Sequence, residues 1–260
     1  MITKFVKTQD GIRLAYDVTG SGPVLVLLHG AGEGHTRQSW HEAGYVDRLK
    51  DSYTVITIDA RGHGESDRPE RADAYTIGKM CSDILTVATD AGFEEFSLWG
   101  FSFGGNIGRY LASQSKRVSK FVMVGIPFGL AASGDFLEFI HTFRAKWDPI
   151  LQAQRDGTLD LDQLEIEDRE DLEEVEMGVF VAWLTAMLDW GNNEPADLLC
   201  PTLWLSGTEN KSTIDSMAHY DAQLSGTQVQ VAKVDGLNHQ QEFFEIDTVF
   251  PILSAFLNLE

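Results

Sequence analysis

Cysteine is nearly absent: two of the 260 residues, Cys81 and Cys200. Two thiols cannot build a disulfide framework, and neither sits in a C-x-x-C pair or a metal-type cluster. Cys81 falls on the apolar face of a helical pattern and Cys200 just ahead of a strand-like run, so both read as core thiols. Also missing is any run of about 18 apolar residues, which counts against a membrane-spanning helix. The opening residues, Met1-Ile2-Thr3-Lys4-Phe5-Val6-Lys7, lack the apolar core and cleavage site of a secretory leader, and the expected location is cytoplasmic. Basic residues are scarce, 20 against 40 acidic ones for a net charge of −20. That balance argues against nucleic acid and anionic membranes as partners.

What the chain does have is a well-cored composition, 43% hydrophobic with 24 glycines, at a length suited to one large α/β domain or a domain carrying an insertion. The acid is unevenly spread. Asp160–Glu176 holds ten carboxylates against one base, Arg169, about half of the whole net charge. Leu161, Leu164, Leu172 and Val175 recur there at near-helical spacing, so the stretch reads as the solvated face of a surface helix.

Apolar runs and helical patterns alternate along the chain. Strands are expected at Lys4–Lys7, Ile12–Asp17, Pro23–His29, Tyr53–Asp59, Phe96–Phe101, Lys120–Gly125, Pro201–Ser206 and Thr227–Val234. Asp10-Gly11 is a hairpin signal between the first two. Helices are expected at Tyr75–Gly92 and Glu242–Leu259. Such alternation predicts an eight-stranded, mostly parallel sheet covered on both faces. Between about Phe128 and Asp197 the strands stop. Three helical stretches take over, Ser133–Asp156, Asp160–Met177 and Gly178–Trp190, rich in Phe136, Phe139, Phe143, Trp147, Phe180, Trp183, Met187 and Trp190. The expected organisation is therefore a core domain over 1–127 and 198–260, with 128–197 as a helical cap whose aromatics wall an apolar pocket.

The chemistry concentrates at Gly100-Phe101-Ser102-Phe103-Gly104. This G-x-S-x-G lies between a short apolar strand and a helical pattern, the setting in which a serine hydroxyl is pushed out at the end of a sheet. Flanking glycines let neighbouring backbones approach, and the helix start behind the serine offers N–H groups to a developing oxyanion. A nucleophilic Ser102 needs a base, and His239 follows the last strand and precedes the last helix, as the order Ser, acid, His requires. Two backbone amides should form an oxyanion hole: Phe103, after the nucleophile, and Ala31, in the glycine-rich loop His29-Gly30-Ala31-Gly32-Glu33-Gly34. His29 is read as a buried structural residue, and Arg61 and His63 as braces of the loops beside the site.

These segments, HGAG at 29–32, DARGHGES at 59–66, GFSFGG at 100–105, PTLWLSGTEN at 201–210 and GLNH at 236–239, resemble the α/β-hydrolase superfamily in order and spacing over nearly the whole chain. The resemblance implies an α/β-hydrolase fold, a triad of Ser102, His239 and an acid, and a helical cap. It also implies that Ser102, where epoxide hydrolases and dehalogenases carry aspartate, directs the chemistry to acyl transfer. At the place where relatives carry the acid, G-x-x-D, this chain has Gly207-Thr208-Glu209-Asn210. Glu209 is the expected acid, with Asn210 and Asp235 as alternatives. The expected activity is a serine hydrolase cleaving an ester or lactone of a small-to-medium apolar substrate through an acyl-enzyme, with no metal or organic cofactor. The expected partner is that small ester-like molecule, and a homodimer is compatible with the sequence. Two other readings stay open. Ser39-Trp40 after the glycine-rich loop resembles C–C bond hydrolases of aromatic degradation, while GFSFGGNIGRYLA resembles the cofactor-free haloperoxidase and esterase branch. The missing aspartate also admits a ligand-binding protein with a degraded triad.

Overall fold

The computed structural model describes residues 2–32 and 34–258. Strands β1 (Lys4–Lys7), β2 (Arg13–Gly20), β3 (Val24–Leu28), β4 (Thr54–Ile58), β5 (Phe96–Phe101), β6 (Val118–Val124), β7 (Thr202–Gly207) and β8 (Val229–Val234) form one sheet in the order β1-β2-β4-β3-β5-β6-β7-β8. β2 runs antiparallel to β1 and β4, and every other pair is parallel. Every residue of β3, β4, β5 and β7 is buried, which is why these strands read as unbroken apolar runs: both of their faces are covered. β2 extends past its expected end to Gly20 because Tyr16–Gly20 pair with the whole of β4, Gly20 opposite Thr54.

The helices are α1 (Arg37–Glu42), α2 (Tyr45–Leu49), α3 (Ile77–Asp90), α4 (Phe103–Gln114), α5 (Gly134–Arg155), α6 (Ile166–Glu174), α7 (Met177–Met187), α8 (Lys211–Leu224), α9 (Gln241–Phe244) and α10 (Ile246–Leu257). Two expected helices are broken. The acidic stretch starts as a 3₁₀ turn, Leu161–Gln163, which Asp160 caps by accepting the Asp162 N–H, and only then forms α6. The closing helix is interrupted at Glu245, whose ψ of 58° cannot continue an α-helix, leaving the short α9 ahead of α10. The Leu259 at its expected end lies outside the described residues.

Two compact units result. The sheet unit comprises the described parts of Met1–Asp67, Met80–Gly129 and Asn192–Glu260. Its core stacks Trp40, Tyr45, Trp99 and Phe243 edge to face with centroids 4.9–5.3 Å apart. Aromatics of this size dominate core energetics, at roughly 1.5–3 kcal/mol each for burial alone. The chain leaves and re-enters this unit at Gly129 and Asn193, which pair as an isolated antiparallel bridge. The buried Arg109 donates to both carbonyls, at 2.7 and 3.3 Å.

The helical unit comprises Leu130–Gly191, inside the expected 128–197, and a second segment, Arg68–Lys79, that ends in the first turn of α3. That segment belongs to it for local reasons: the Tyr75 carbonyl accepts the Trp190 indole N–H at 3.1 Å, Arg68 pairs with Glu176, and Glu70 lies against Gly178. Trp147, Leu151, Met177 and Val181 form its core, with Phe143 and Phe180 packed on it. Phe136 and Phe139 stack on each other but are exposed. The carboxylates of the acidic stretch are mostly exposed, as a solvated face requires, although Ile166 is exposed too and Asp168 is buried in an ion pair with Lys146.

Candidate active site

The parallel register brings the ends of β3, β5, β6 and β7 level: Leu28 faces Gly100, Phe101 faces Val124, and Val124 faces Leu205. The loops after these strands therefore share one edge, the carboxyl end where open α/β sheets place ligands. Ser102 stands there between β5 and α4 with φ 51° and ψ −118°. A non-glycine residue at positive φ is strained, and the surroundings hold it: the Ser102 N–H donates to Val124 O at 3.0 Å, and Ser102 O accepts from Asn106 N at 2.8 Å. The flanking glycines are required by contact. A Cβ on Gly100 would strike the Gly104 backbone, and one on Gly104 would strike Leu28 O.

His239 lies in the loop after β8. Its Nε2 accepts the Ser102 hydroxyl at 2.9 Å, and its ring stacks on Phe101 with centroids 5.1 Å apart. On the other side, Nδ1 donates to Glu242 Oε2 at 3.0 Å. A proton on Nδ1 leaves Nε2 as the acceptor facing Ser102, the tautomer a base needs.

The expected acid, Glu209, is not the carboxylate that lies beside His239. Glu209 is exposed on the turn after β7, where its backbone N–H donates to Leu237 O and its side chain has no bond to His239. Asp235 is exposed and accepts from the Thr208 hydroxyl. The carboxylate beside the histidine is Glu242, on α9, with a side chain 0% exposed. Its Oε1 accepts from the Ser206 hydroxyl and the Gly207 N–H, both at 2.7 Å. Asn210 Nδ2 lies 3.1 Å from both Glu242 oxygens, 3.0 Å from Gly125 O and 3.2 Å from His239 Nδ1. The Ser212 hydroxyl donates to Asn210 Oδ1 at 3.1 Å, which fixes the amide orientation. Glu242 was legible only as the first residue of an expected helix. The signal for it was the pairing of H-x-x-E with an amide at 210.

Phe103 begins α4 directly after Ser102, and Ala31 follows β3 through Gly30, where a Cβ would lie 3.4 Å from the Ser102 Cβ. The two segments are tied by Gly104 N donating to His29 O at 3.0 Å. The Glu33 of this loop lies outside the described residues. His29 is buried, with Nδ1 donating to Gly30 O at 2.6 Å and Nε2 accepting from Ala60 N at 3.1 Å. Burial pushes its pKa down to about 4. Arg61 is buried against Asp83 and Asp10, and its hydrogen bonds hold the Asp10 carboxyl down at about 2. His63 packs on His29 and Phe103. Ser39 and Trp40 serve the fold: the Ser39 hydroxyl caps α1 and donates to Gly34 O, and Trp40 is in the aromatic core. Both cysteines are buried, with thiols pushed up by burial, to about 12 for Cys81 and about 11 for Cys200. Among the described residues no cluster of three His, Cys, Asp or Glu is arranged to hold a metal, and no helix is long and apolar enough to cross a membrane.

Comparison with known proteins agrees with this architecture. The chain is 34% identical over 131 residues to the AB hydrolase superfamily protein YfhM of Bacillus subtilis strain 168, covering 48% of this chain and 43% of that protein. It is 32% identical over 129 residues to a soluble epoxide hydrolase of Corynebacterium sp. strain C12, covering 48% and 42%. It thus spans less than half the length of these curated relatives. An epoxide hydrolase structure of the α/β hydrolase superfamily, from metagenomes of hot environments, superposes with a TM-score of 0.73 at 20% identity over 100% of this chain and 99% of that one, a likeness of fold. A family model described as alpha/beta hydrolase fold matches residues 23–163, and the chain belongs to that family.

Proposed function

We propose that this protein is a serine hydrolase that cleaves a carboxylic ester or lactone through an acyl-enzyme intermediate. The observation that carries the reading is the 2.9 Å contact between His239 Nε2 and the hydroxyl of a serine strained onto a strand-to-helix turn. Ser102 Oγ attacks the carbonyl carbon as His239 takes its proton. The oxyanion is received by the Ala31 and Phe103 amides. His239 then protonates the leaving alkoxide, takes a proton from a water whose oxygen attacks the acyl carbon, and returns it to Ser102 Oγ as that oxygen leaves and the acid is released.

The relatives named epoxide hydrolases suggest a different substrate, but bond chemistry disfavours it. A serine opening an epoxide would leave an ether on the enzyme, and the site has no means of hydrolysing an ether. A serine attacking an ester leaves a second ester, which the same base and amides can hydrolyse.

The test is turnover of p-nitrophenyl esters of graded acyl length, with labelling by a serine-directed fluorophosphonate. Wild type should be labelled at Ser102, and Ser102→Ala should lose labelling and at least about 10³ of kcat. Unlabelled wild-type protein, or a Ser102→Ala variant that still turns over, overturns the reading.

A further inference from the structure

The geometry points to Glu242, not a residue of the β7 turn, as the positioning acid of His239, with Asn210 converted from that role into a clamp on Glu242. This rests on the serine-hydrolase reading. A buried carboxylate without partners is costly, so the bonds around Glu242 indicate what it is for. Every one is with a donor: the Ser206 hydroxyl, the Gly207 N–H, the Asn210 amide and His239 Nδ1. The Gly207 N–H and the Asn210 amide can only donate, so the site is furnished for a carboxylate that accepts Nδ1–H. That bond fixes the tautomer and ring orientation and offsets the charge the imidazole gains when Ser102 attacks.

Asn210 completes the argument. Its Nδ2 stands only 3.2 Å from Nδ1, so a carboxylate here could reach the histidine. It also stands 3.1 Å from both Glu242 oxygens, where two carboxylates would repel. With Glu242 in place, an amide is the side chain that fits, donating to Glu242 and to Gly125 O. The exchange depends on two local features. Glu242 lies three residues after His239, near the start of the short α9 that ends at Glu245. Gly125, with φ +78°, leaves the space: a Cβ there would collide with Glu242 Oε2.

The experiment compares Glu242→Gln, Glu209→Gln and the double variant Asn210→Asp/Glu242→Gln, reading ester kcat and KM, the rate of fluorophosphonate labelling at Ser102, and the downfield proton resonance of the histidine Nδ1–H. Glu242→Gln should lower kcat and labelling about 10²–10⁴-fold with KM within threefold, as when a triad acid becomes its amide, and shift the Nδ1–H resonance. Glu209→Gln should leave all three unchanged. Returning a carboxylate at 210 in the double variant should recover at least tenfold over Glu242→Gln. Glu242→Gln within threefold of wild type, or no recovery in a folded double variant, overturns the assignment while Ser102 labelling keeps the serine reading intact. If Glu242→Gln does not fold, Glu242→Asp decides. It keeps the charge but draws it back from Nδ1, so kcat must fall at least tenfold at constant KM, and unchanged kcat overturns the proposal. Wild type unlabelled at Ser102 overturns both readings.

Discussion

Two histidines stand on the same edge of the sheet, and their partners divide them. His29, after β3, has one ring nitrogen on a backbone carbonyl and the other on a backbone N–H. It is sealed from solvent, and burial pushes its pKa down to about 4. His239, after β8, has one ring nitrogen on a hydroxyl and the other on a carboxylate, with 38% of its side chain exposed. The first is held neutral by burial and joins two loops, and the second, in the proposed mechanism, takes the proton of Ser102 with Glu242 beside it. The residue type is common to both. The groups facing the ring decide whether a histidine is a brace or a base.

Among changes that leave Ser102, His239 and Glu242 in place, the largest effect should come from removing the room that the His239 arrangement needs. Gly125→Ala places a Cβ against Glu242 Oε2 and close to His239 Nδ1, at a φ of +78° that side chains rarely adopt. Misplacement on the order of 1 Å costs about 10² in rate, so kcat should fall at least that far, with a lowered Tm. An alanine variant with wild-type kinetics would show that the carboxylate's position is unimportant.

Next is the His29 side of the comparison. An unfolded histidine titrates near 6.5, and folded His29 near 4, so the folded state binds fewer protons between these values. Its stability contribution is complete above pH 6.5 and is lost as pH falls toward 4, a difference of about 3 kcal/mol. His35, also lowered by burial, acts in the same direction. Urea unfolding at pH 7.5 and 4.5 should show the loss in wild type and a shallower dependence in His29→Asn. Equal slopes would mean that His29 is not held neutral.

Smaller still is Ser206→Ala, which removes one of the Glu242 donors while leaving Gly207 N–H and Asn210. The expected cost is about 1–3 kcal/mol of stability by thermal or urea unfolding. Smallest is Glu209→Gln, exposed on the turn, expected within about 0.5 kcal/mol of wild type. A large loss there would return the turn to consideration as the source of the acid.

The sheet, the elbow and His239 were legible because each depends on neighbours in sequence. Unbroken apolar runs such as Val24–Leu28 mark strands covered on both faces. Glycines at 100 and 104 mark a turn whose backbones nearly touch. Less legible were the elements set by distant packing. Arg68–Lys79 joins the helical unit through Tyr75 and Glu70, which meet residues about a hundred positions away. The stretch from Asp160 has helical spacing, yet its first residues form a 3₁₀ turn because Asp160 caps locally and competes with the helix.

Sequence by itself determined the eight-stranded α/β architecture, the strained serine and the histidine ordered after it, since periodicity and turn chemistry are local and repeat wherever the same residues recur. It also determined that something was exchanged at position 210, because an amide cannot carry charge. Only the tertiary structure decided where that charge went. Glu242 is 32 residues from Asn210 and 36 from Ser206, and H-x-x-E alone does not say which distant groups will meet it. The three meet because β7 and β8 lie side by side, so the turn after β7 and the loop after β8 share one edge and the donors of 206–210 surround a carboxylate from the second segment.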